Sequence, residues 1–181
     1  AGIVQAVGEG VTDLRVGDAV FGLAPGALAS EVLVPAAFLA RWPAELGTLE
    51  QAAALPAAWL TAMLGLQGIA GLRAGQSVLV HAGSGGVGWA AVQIALRAGA
   101  TVFATAGSPA KRELLRSLGV AQVFDSRTLD FAPQLRAATG GRGVDVVLNS
   151  LAGEFIGARV ECLAPAGCFL ELGKRELWPD Q

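Results

Sequence analysis

A strand, a glycine-rich loop and an apolar helix, in that order, limit how this chain folds more than any other feature. "QSVLVHA", residues 76–82, is apolar and β-branched, and it predicts a strand buried on both faces. "GSGGVG", residues 83–88, follows directly, and an apolar helical pattern continues to Ala98. Gly99 stands where a glycine often ends a helix. This order predicts the first β–loop–α unit of a dinucleotide-binding fold.

The spacing Gly83-x-Gly85-x-x-Gly88 suits a loop that holds a pyrophosphate. The first glycine permits a tight turn, the second lets the backbone approach the phosphates, and the third allows close helix–strand packing. The amides at the start of the helix then face the negative charge. A tight turn without a ligand is the alternative. We predict cofactor contacts from the loop residues Gly83, Ser84, Gly85, Gly86, Val87 and Gly88.

The rest of the C-terminal two-thirds alternates apolar strands with helical segments. Ser108 and Pro109 predict the capped start of one helix, and Pro133 predicts a broken or short one. Such alternation indicates a parallel sheet covered on both faces. The predicted fold class is therefore α/β, with a doubly wound, Rossmann-type sheet. Its further strands are predicted at 101–106, 121–125, 143–150 and 167–173, and a further helix at 154–164.

The N-terminal third follows a different pattern. Short strands are predicted at 2–11, 16–23 and 30–37, with no helix before about Thr48. Three strands cannot close a barrel, so we expect this part to belong to a β-domain of a longer polypeptide. The predicted domains are 1–47 and 48–181. Thr48 and Gln51 have the spacing of a capping box at the start of the connecting helical segment.

Composition excludes several classes of function. The net charge is −2 and the basic residues are scattered, so nucleic-acid binding is not expected. The charge-free stretch 51–72 is rich in alanine and glycine, which favours a buried helix over a membrane span. One histidine and two cysteines, Cys162 and Cys168, predict neither a metal cluster nor a disulfide scaffold. Both thiols are expected to be buried, and no signal segment is present, so we expect a cytoplasmic location.

The cofactor can be predicted from the residues that follow the second strand. NAD-binding versions of the fold place an acidic residue about 20 positions beyond the glycines. Here "FATAGSPAKR", residues 103–112, contains no Asp or Glu. Thr105 and Ser108 offer hydroxyls, Lys111 and Arg112 offer positive charge, and Arg127 is a second candidate clamp. This group would attract a 2′-phosphate, so NADPH is favoured over NADH. The alternative is a helix start that carries basic residues for no ligand.

Other charged residues are given structural interpretations. Arg112 and Arg116 are expected to form a solvated helix face. Asp145 is expected to make a turn or strand-edge contact and not to act in catalysis.

Four runs resemble the medium-chain dehydrogenase/reductases: "GIVQAVGEGVTDLRVGDAVFG", "LPAAWLTA", "SVLVHAGSGGVGWAAVQIA" and "GGRGVDVVLNSLAGEF". More narrowly, "SRTLDF" (126–131) and "NSLAGE" (149–154) are similar to the enoylreductase domains of modular polyketide synthases and animal-type fatty acid synthases. The resemblance implies that residues 1–47 are part of a GroES-like substrate domain. It also implies that residues 48–181 form a Rossmann domain whose C-terminal end is incomplete.

The resemblance implies hydride transfer from NADPH to the β-carbon of an α,β-unsaturated acyl thioester. The acyl chain would be carried on an acyl carrier protein, next to other synthase domains in the same polypeptide. Zinc, which alcohol-dehydrogenase relatives use, is not expected. Lys111 and Asp130 match the positions of the candidate proton donors. Further cofactor contacts are implied at Thr61, Asn149, Leu151, Gly173 and Lys174.

Two other functions are compatible with the same residues. One is a free-standing NADPH-dependent quinone or enone reductase of the same superfamily. The other is a catalytically silent domain that serves as a spacer within a multidomain synthase. The intact glycine loop argues against the silent domain, and the runs 126–131 and 149–154 argue against the free-standing enzyme.

Overall fold

The computed structural model describes residues 1–150 and 160–173. The chain divides into two compact units, Ala1–Leu60 and Thr61–Gln181. The assignment of the N-terminal part to a GroES-like substrate domain stays a prediction.

The first unit contains a small antiparallel sheet. Its strands are β1 (Gly2–Ile3), β2 (Ala19–Gly22) and β3 (Leu39–Arg41), in the order β1-β2-β3. The ring of Trp42 packs edge-on against Phe21, with 5.2 Å between ring centroids, and its indole N–H donates to Gly47 O.

The predicted third strand at 30–37 is wrong, whereas the first α-helix begins at Leu49, as expected. Residues 30–35 form no strand, and two short 3₁₀ turns cover Ala36–Phe38 and Ala44–Leu46. A proline precedes each turn, and a proline has no amide hydrogen to give to a sheet. The third strand therefore begins only at Leu39, where Gly22 and Leu39 are partners.

Two helices follow, α1 (Leu49–Ala53) and α2 (Pro56–Met63). The predicted capping box is confirmed: the Gln51 amide donates to Thr48 Oγ1, and the Thr48 amide donates to Gln51 Oε1. The expected single buried helix over 51–72 is wrong. Pro56 starts a new helix, and a π-helical stretch at Leu64–Ile69 leaves both of its end residues largely exposed. No helix within 1–150 and 160–173 is long and apolar enough to cross a membrane.

The second unit is built on a five-stranded parallel sheet in the order β6-β5-β4-β7-β8. This is the strand order of a Rossmann fold, so the predicted fold class is confirmed. The strands are β4 (Ser77–Val80), β5 (Thr101–Ala106), β6 (Gln122–Asp125), β7 (Val144–Asn149) and β8 (Leu163–Glu171). The helices are α3 (Gly86–Arg97), α4 (Pro109–Ser117) and α5 (Phe131–Ala138).

The sheet is buried because its central strands are apolar throughout. Val78, Leu79 and Val80 of β4 are fully buried, as expected for a strand covered on both faces. Small residues on α3, among them Ala91 and Ala95, are also buried and let the helix lie close to the sheet. Gly99 ends this helix with a φ of 76°, as the sequence predicted.

Two details of the second unit refine the prediction. Of the two alternatives for α5, the helix is short, with eight residues, and not broken, because Pro133 lies in the first turn, where its missing amide hydrogen has no helical partner to lose. β8 begins at Leu163, earlier than predicted. Its pairing with β7 shifts register between Val144 and Val146. The helix predicted at 154–164 falls mostly outside the described residues.

Asp145 connects β7 to β4 at the amino end of the sheet. Its carboxylate accepts hydrogen bonds from the amide and hydroxyl of Ser77 and pairs with Arg142. This confirms the predicted strand-edge contact. The Arg142 side chain lowers the pKa of Asp145 to about 2, with help from Ser77 and against partial burial.

Replacing Asp145 by asparagine tests this contact. A carboxyl with a lowered folded pKa stabilises the fold above its ordinary value of about 3.9, and this contribution is lost as the pH falls through the folded value. Because the Arg142 side chain is more than half exposed and water screens the pair, we expect Asp145→Asn to lose about 1 kcal/mol of unfolding free energy at pH 7. Urea unfolding of the full chain should show the difference shrinking between about pH 5 and pH 2. A difference that stays constant over this range would contradict the ion pair.

Candidate functional site

The carboxyl ends of β4 and β7 define the candidate site. These strands are neighbours in the centre of the sheet, and the chain leaves them toward opposite edges, since β5 and β6 lie on one side and β8 on the other. Ligands of doubly wound proteins bind in the crevice at such a reversal. Ser150 Oγ donates to His81 O at 3.3 Å and so joins the two strand ends.

The glycine loop leads from β4 directly into the first turn of α3. Gly85 precedes the helix with φ −81° and ψ 170°, and no side chain caps the helix start. The amide of Gly85 donates to Ala82 O at 2.8 Å, which closes the loop on itself. Gly85 and Gly86 are exposed. The first amides of α3 therefore lie at an open, partly positive helix end.

Close packing explains two of the three fingerprint glycines. A Cβ on Gly83 would lie 3.0 Å from Ala104 Cβ and 3.1 Å from Leu115 Cδ1. A Cβ on Gly88 would overlap with the carbonyl oxygen of Ala82 and lie 2.8 Å from Gly83 Cα. Gly85 has more room, because its nearest neighbour would be Ala82 O at 3.2 Å.

The turn itself is made by a residue that is not a glycine. Ala82 has a φ of 49°, in the left-handed region, whereas Gly83 has no positive φ. Gly83 therefore serves the tight turn through its lack of a side chain and not through a left-handed conformation. Its small size is what the site requires, because Ala104 and Leu115 lie against it.

Thr105 lies inside the protein, at the end of β5. It is fully buried, its hydroxyl accepts from the amide of Ala82 at 3.2 Å, and the same oxygen lies 3.1 Å from His81 Nδ1. Its predicted contact with the cofactor is untested, but these partners favour a supporting role beneath the loop. The sequence offered no signal for the contact with His81, because 24 residues separate the two.

Basic side chains gather at the turn between β5 and α4. Ser108 caps α4 and accepts from the amide of Lys111 at 3.4 Å, as predicted. Arg127 follows β6, and its Nε lies 3.3 Å from the position that a Cβ on Gly107 would occupy. Lys111 and Arg127 are both exposed. The structure thus brings Ser108 and both predicted clamp residues to one turn, through neighbouring strands β5 and β6.

Arg112 does not belong to a solvated helix face, and that expectation is wrong. The Arg112 side chain is 17% exposed, and its guanidinium donates to Ala106 O and pairs with Asp125 at 3.0 Å. Arg112 thereby joins the ends of β5 and β6, because α4 packs across both strands. Arg116, one turn further along, is exposed and pairs with Glu113 at 3.0 Å.

Asp130 lies immediately before α5 and is exposed, with no capping hydrogen bond from its side chain. The next residue, Phe131, is buried and packs edge-on against His81, with 5.1 Å between ring centroids. α5 therefore begins at the same end of the sheet as the glycine loop. Lys111 and Asp130 share that end, but no contact joins them among the described residues.

The ends of β7 and β8 carry the remaining predicted positions. Asn149 is buried and its amide nitrogen donates to Glu171 Oε2, while Glu171 Oε1 accepts from the amide of Gly173 at 2.6 Å. Sequence reasoning missed Glu171, although an acidic residue at the end of an apolar strand was a usable signal. Thr61, on α2, is half-buried in the second unit. Leu151 and Lys174 lie outside the described residues.

Comparison with known proteins identifies the family. The family model described as "Zinc-binding dehydrogenase" matches residues 86–179. The chain therefore belongs to the zinc-binding dehydrogenase family, a part of the medium-chain dehydrogenase/reductase superfamily. The resemblance that the sequence indicated is confirmed.

Individual relatives show which members of the superfamily this chain is similar to. The chain is 51% identical over 181 residues to the "Phthioceranic/hydroxyphthioceranic acid synthase" of Mycobacterium tuberculosis, with 99% of this chain aligned. The crystal structure of CurK enoyl reductase is 45% identical over 98% of the chain, with a TM-score of 0.87. A mycobacterial protein solved in complex with NADPH is 35% identical over 95% of the chain, with a TM-score of 0.85. The chain spans 8% of the synthase and 53% of the CurK enoyl reductase.

The family's name raises the question of a metal site. Within 1–150 and 160–173, no three His, Cys, Asp or Glu side chains come together as metal ligands. Cys162 is fully buried, and burial raises the pKa of its thiol to about 11, while Cys168 is half-buried. Burial is thus confirmed for Cys162 and partial for Cys168.

Two glycine substitutions test the packing of the loop. Gly88→Ala should lower the unfolding free energy by about 2 to 3 kcal/mol, because the added methyl overlaps with backbone that cannot move freely. Gly85→Ala serves as the matched control and should cost less than about 1 kcal/mol, because its φ is negative and its neighbour is farther away. Urea unfolding measures both. Equal losses for the two variants would contradict the packing described for Gly88.

Proposed function

We propose that this chain carries the cofactor-binding part of an enoyl-thioester reductase domain in a polyketide or fatty acid synthase. The domain would reduce an α,β-unsaturated acyl chain held as a phosphopantetheine thioester on an acyl carrier protein. Likeness to a synthase and to the CurK enoyl reductase over nearly the whole chain supports this assignment. The single observation that carries it is an open glycine loop at the crevice of a Rossmann sheet, with two exposed basic side chains at the neighbouring turn.

The pyrophosphate of the dinucleotide fits the start of α3. No side chain caps this helix, and Gly85 and Gly86 are exposed, so backbone amides are available to phosphate oxygens. Gly85 leaves room for a phosphate, since its nearest neighbour is the Ala82 carbonyl behind the loop. We assign direct contacts here to Gly83, Ser84, Gly85, Gly86, Val87 and Gly88.

The 2′-phosphate of NADPH fits the turn after β5. Lys111 and Arg127 bring two positive charges there, and Ser108 and Gly107 form the backbone between them. Residues 103–112 contain no acidic side chain that would repel a phosphate. Because this position suits a phosphate clamp, we assign Lys111 to cofactor binding in preference to proton transfer. Likeness to a protein solved with NADPH supports the same choice.

When bound, NADPH supplies a hydride that forms a C–H bond at the β-carbon while the α,β double bond gives its electron pair to the α-carbon and carbonyl. The resulting enolate takes up a proton at the α-carbon, which yields the saturated thioester. Asp130 is our candidate for delivering that proton, because it is exposed at the start of α5 and its carboxyl makes no capping bond. Thr61, Asn149, Leu151, Gly173 and Lys174 are assigned to the nicotinamide end of the site.

The partners and location follow from this function. The carrier protein and other synthase domains would be covalently linked neighbours in the same polypeptide, and the enzyme would act in the cytoplasm. The free-standing quinone or enone reductase remains the second candidate function. It would accept small unsaturated ketones or quinones and would not depend on a carrier-bound thioester.

Charge removal at the β5–α4 turn tests the choice of cofactor. Lys111→Ala and Arg127→Ala should each weaken NADPH binding by about tenfold, because each loses a charged hydrogen bond to the 2′-phosphate. NADH binding should change by less than about twofold, since NADH lacks this phosphate. Fluorescence titration of the full-length protein measures both affinities.

Arg116→Ala is the matched control for these variants. Arg116 lies on the same helix but pairs with Glu113 near its far end, so its loss should leave both affinities unchanged. If the Lys111 variant weakened the binding of NADPH and of NADH equally, the proposed role of Lys111 as a 2′-phosphate clamp would be overturned.

Activity of the full-length protein tests the reaction. With NADPH and a 2-enoyl thioester on a carrier or pantetheine mimic, we expect oxidation of NADPH and formation of the saturated thioester. Asp130→Asn should lower kcat by about a hundredfold or more while leaving the Kd for NADPH unchanged. Mass spectrometry of the acyl chain and absorbance of NADPH follow the reaction.

The same assay separates the alternatives. Reduction of quinones without reduction of enoyl thioesters would favour the free-standing reductase. Failure to bind any dinucleotide would favour a silent structural domain and overturn both enzymatic functions.

A further inference from the structure

Ala82 holds an unusual conformation at the point where β4 enters the glycine loop. Its φ of 49° lies in the left-handed region, which costs energy for any residue with a Cβ. Its carbonyl accepts the amide of Gly85 at 2.8 Å and lies against Gly88. The orientation of Ala82 therefore decides where the loop and the first amides of α3 lie.

One residue of the neighbouring strand holds both sides of this turn. The amide of Ala82 donates to Thr105 Oγ1 at 3.2 Å, and the amide of Gly83 donates to Thr105 O at 2.9 Å. Thr105 is fully buried, so water does not compete for its hydroxyl. Two consecutive amides are thus fixed by the side chain and the backbone of a single residue.

His81 fixes the hydroxyl of Thr105 from the other side. Its Nδ1 lies 3.1 Å from Thr105 Oγ1, and only 1% of His81 is exposed. The imidazole is held edge-on by the Phe131 ring, and the His81 amide donates to Leu148 O at 3.0 Å. The hydroxyl, which can rotate freely on its own, is therefore directed by a side chain that strand β7 and helix α5 hold in place.

We propose that Thr105 and His81 are positioning residues for the dinucleotide: they hold Ala82 left-handed and so aim the loop amides at the pyrophosphate. This inference rests on the proposed dinucleotide function and changes the part played by Thr105. Thr105 acts from beneath the loop through Ala82, and the cofactor touches the loop and not the Thr105 hydroxyl. NADPH and NADH share the pyrophosphate, so both cofactors depend equally on this pair.

Thr105→Val in the full-length protein is the primary test, because valine keeps the shape and removes the hydroxyl. We expect the Kd values for NADPH and for NADH to rise together by about tenfold. Thr105→Ser, which restores the hydroxyl, should bring both values back to within about twofold of the unaltered protein. The equal effect on both cofactors separates this role from the loss of a 2′-phosphate clamp.

Thr139→Val is the matched control for a role in stability alone. Thr139 Oγ1 also accepts from a glycine amide, that of Gly143 at 3.0 Å, but it lies before β7 at the opposite end of the sheet. We expect this variant to lower the Tm while both Kd values stay within about twofold. A merely structural Thr105 would behave in the same way.

The outcomes separate this inference from the proposed function. If the unaltered protein binds neither cofactor, the proposed function fails and the positioning role fails with it. If the unaltered protein binds both and Thr105→Val binds them equally well, the positioning role alone is overturned. A rise in Kd for NADPH only would also overturn it.

The unaltered protein gives a second measurement, which decides the matter if Thr105→Val does not fold. Hydrogen exchange without cofactor should show the Ala82 amide protected, because Thr105 already holds it. His81→Phe, which keeps a ring against Phe131, should then raise both Kd values together. Fast exchange at Ala82, or unchanged Kd values for His81→Phe, would overturn the proposal.

Discussion

The parallel pairing of β4 with β5 on one side and β7 on the other is the interaction on which the second unit depends. The register sets Val80, the last residue of β4, beside Ala104 and Leu148, and both neighbouring strands continue past this level. The pairing continues beyond the strands, because the amide of Gly83 donates to Thr105 O and that of His81 to Leu148 O. The glycine loop is thus fastened to both neighbouring strands. An apolar sheet interior, in which unpaired amides are costly, keeps this register unique.

The positions of the glycine loop and of the β5–α4 turn follow from where these strands end. The same pairing of β5 with β6 brings Arg127 over Gly107, beside the turn that carries Ser108 and Lys111. Arg112 strengthens this arrangement from below by joining Ala106 O to Asp125. Two basic residues at the same turn therefore have different roles. The exposed Lys111 is left for a ligand, while Arg112 is committed to holding two strand ends together.

Local signals in the sequence were dependable where neighbouring residues make the structure. The capping box at Thr48, the cap at Ser108 and the glycine after α3 were all found, because each depends on contacts within a few residues. The predictions of a third strand at 30–37 and of a single helix over 51–72 were wrong. A proline before Ala36 and another at position 56 divide those segments, and apolar composition alone does not show where a chain is divided.

The sequence by itself determined the class of fold and the family, and it placed the glycine loop between β4 and α3. These follow from the order of strand, glycines and helix, and from short sequence motifs that can be identified without knowledge of long-range contacts. Only the tertiary structure decided which residues the loop depends on. It assigned the left-handed turn to Ala82, buried Thr105 against His81, and paired Asn149 with Glu171. The physical reason is distance along the chain: residues 22 to 24 positions apart meet only after the parallel strands have paired.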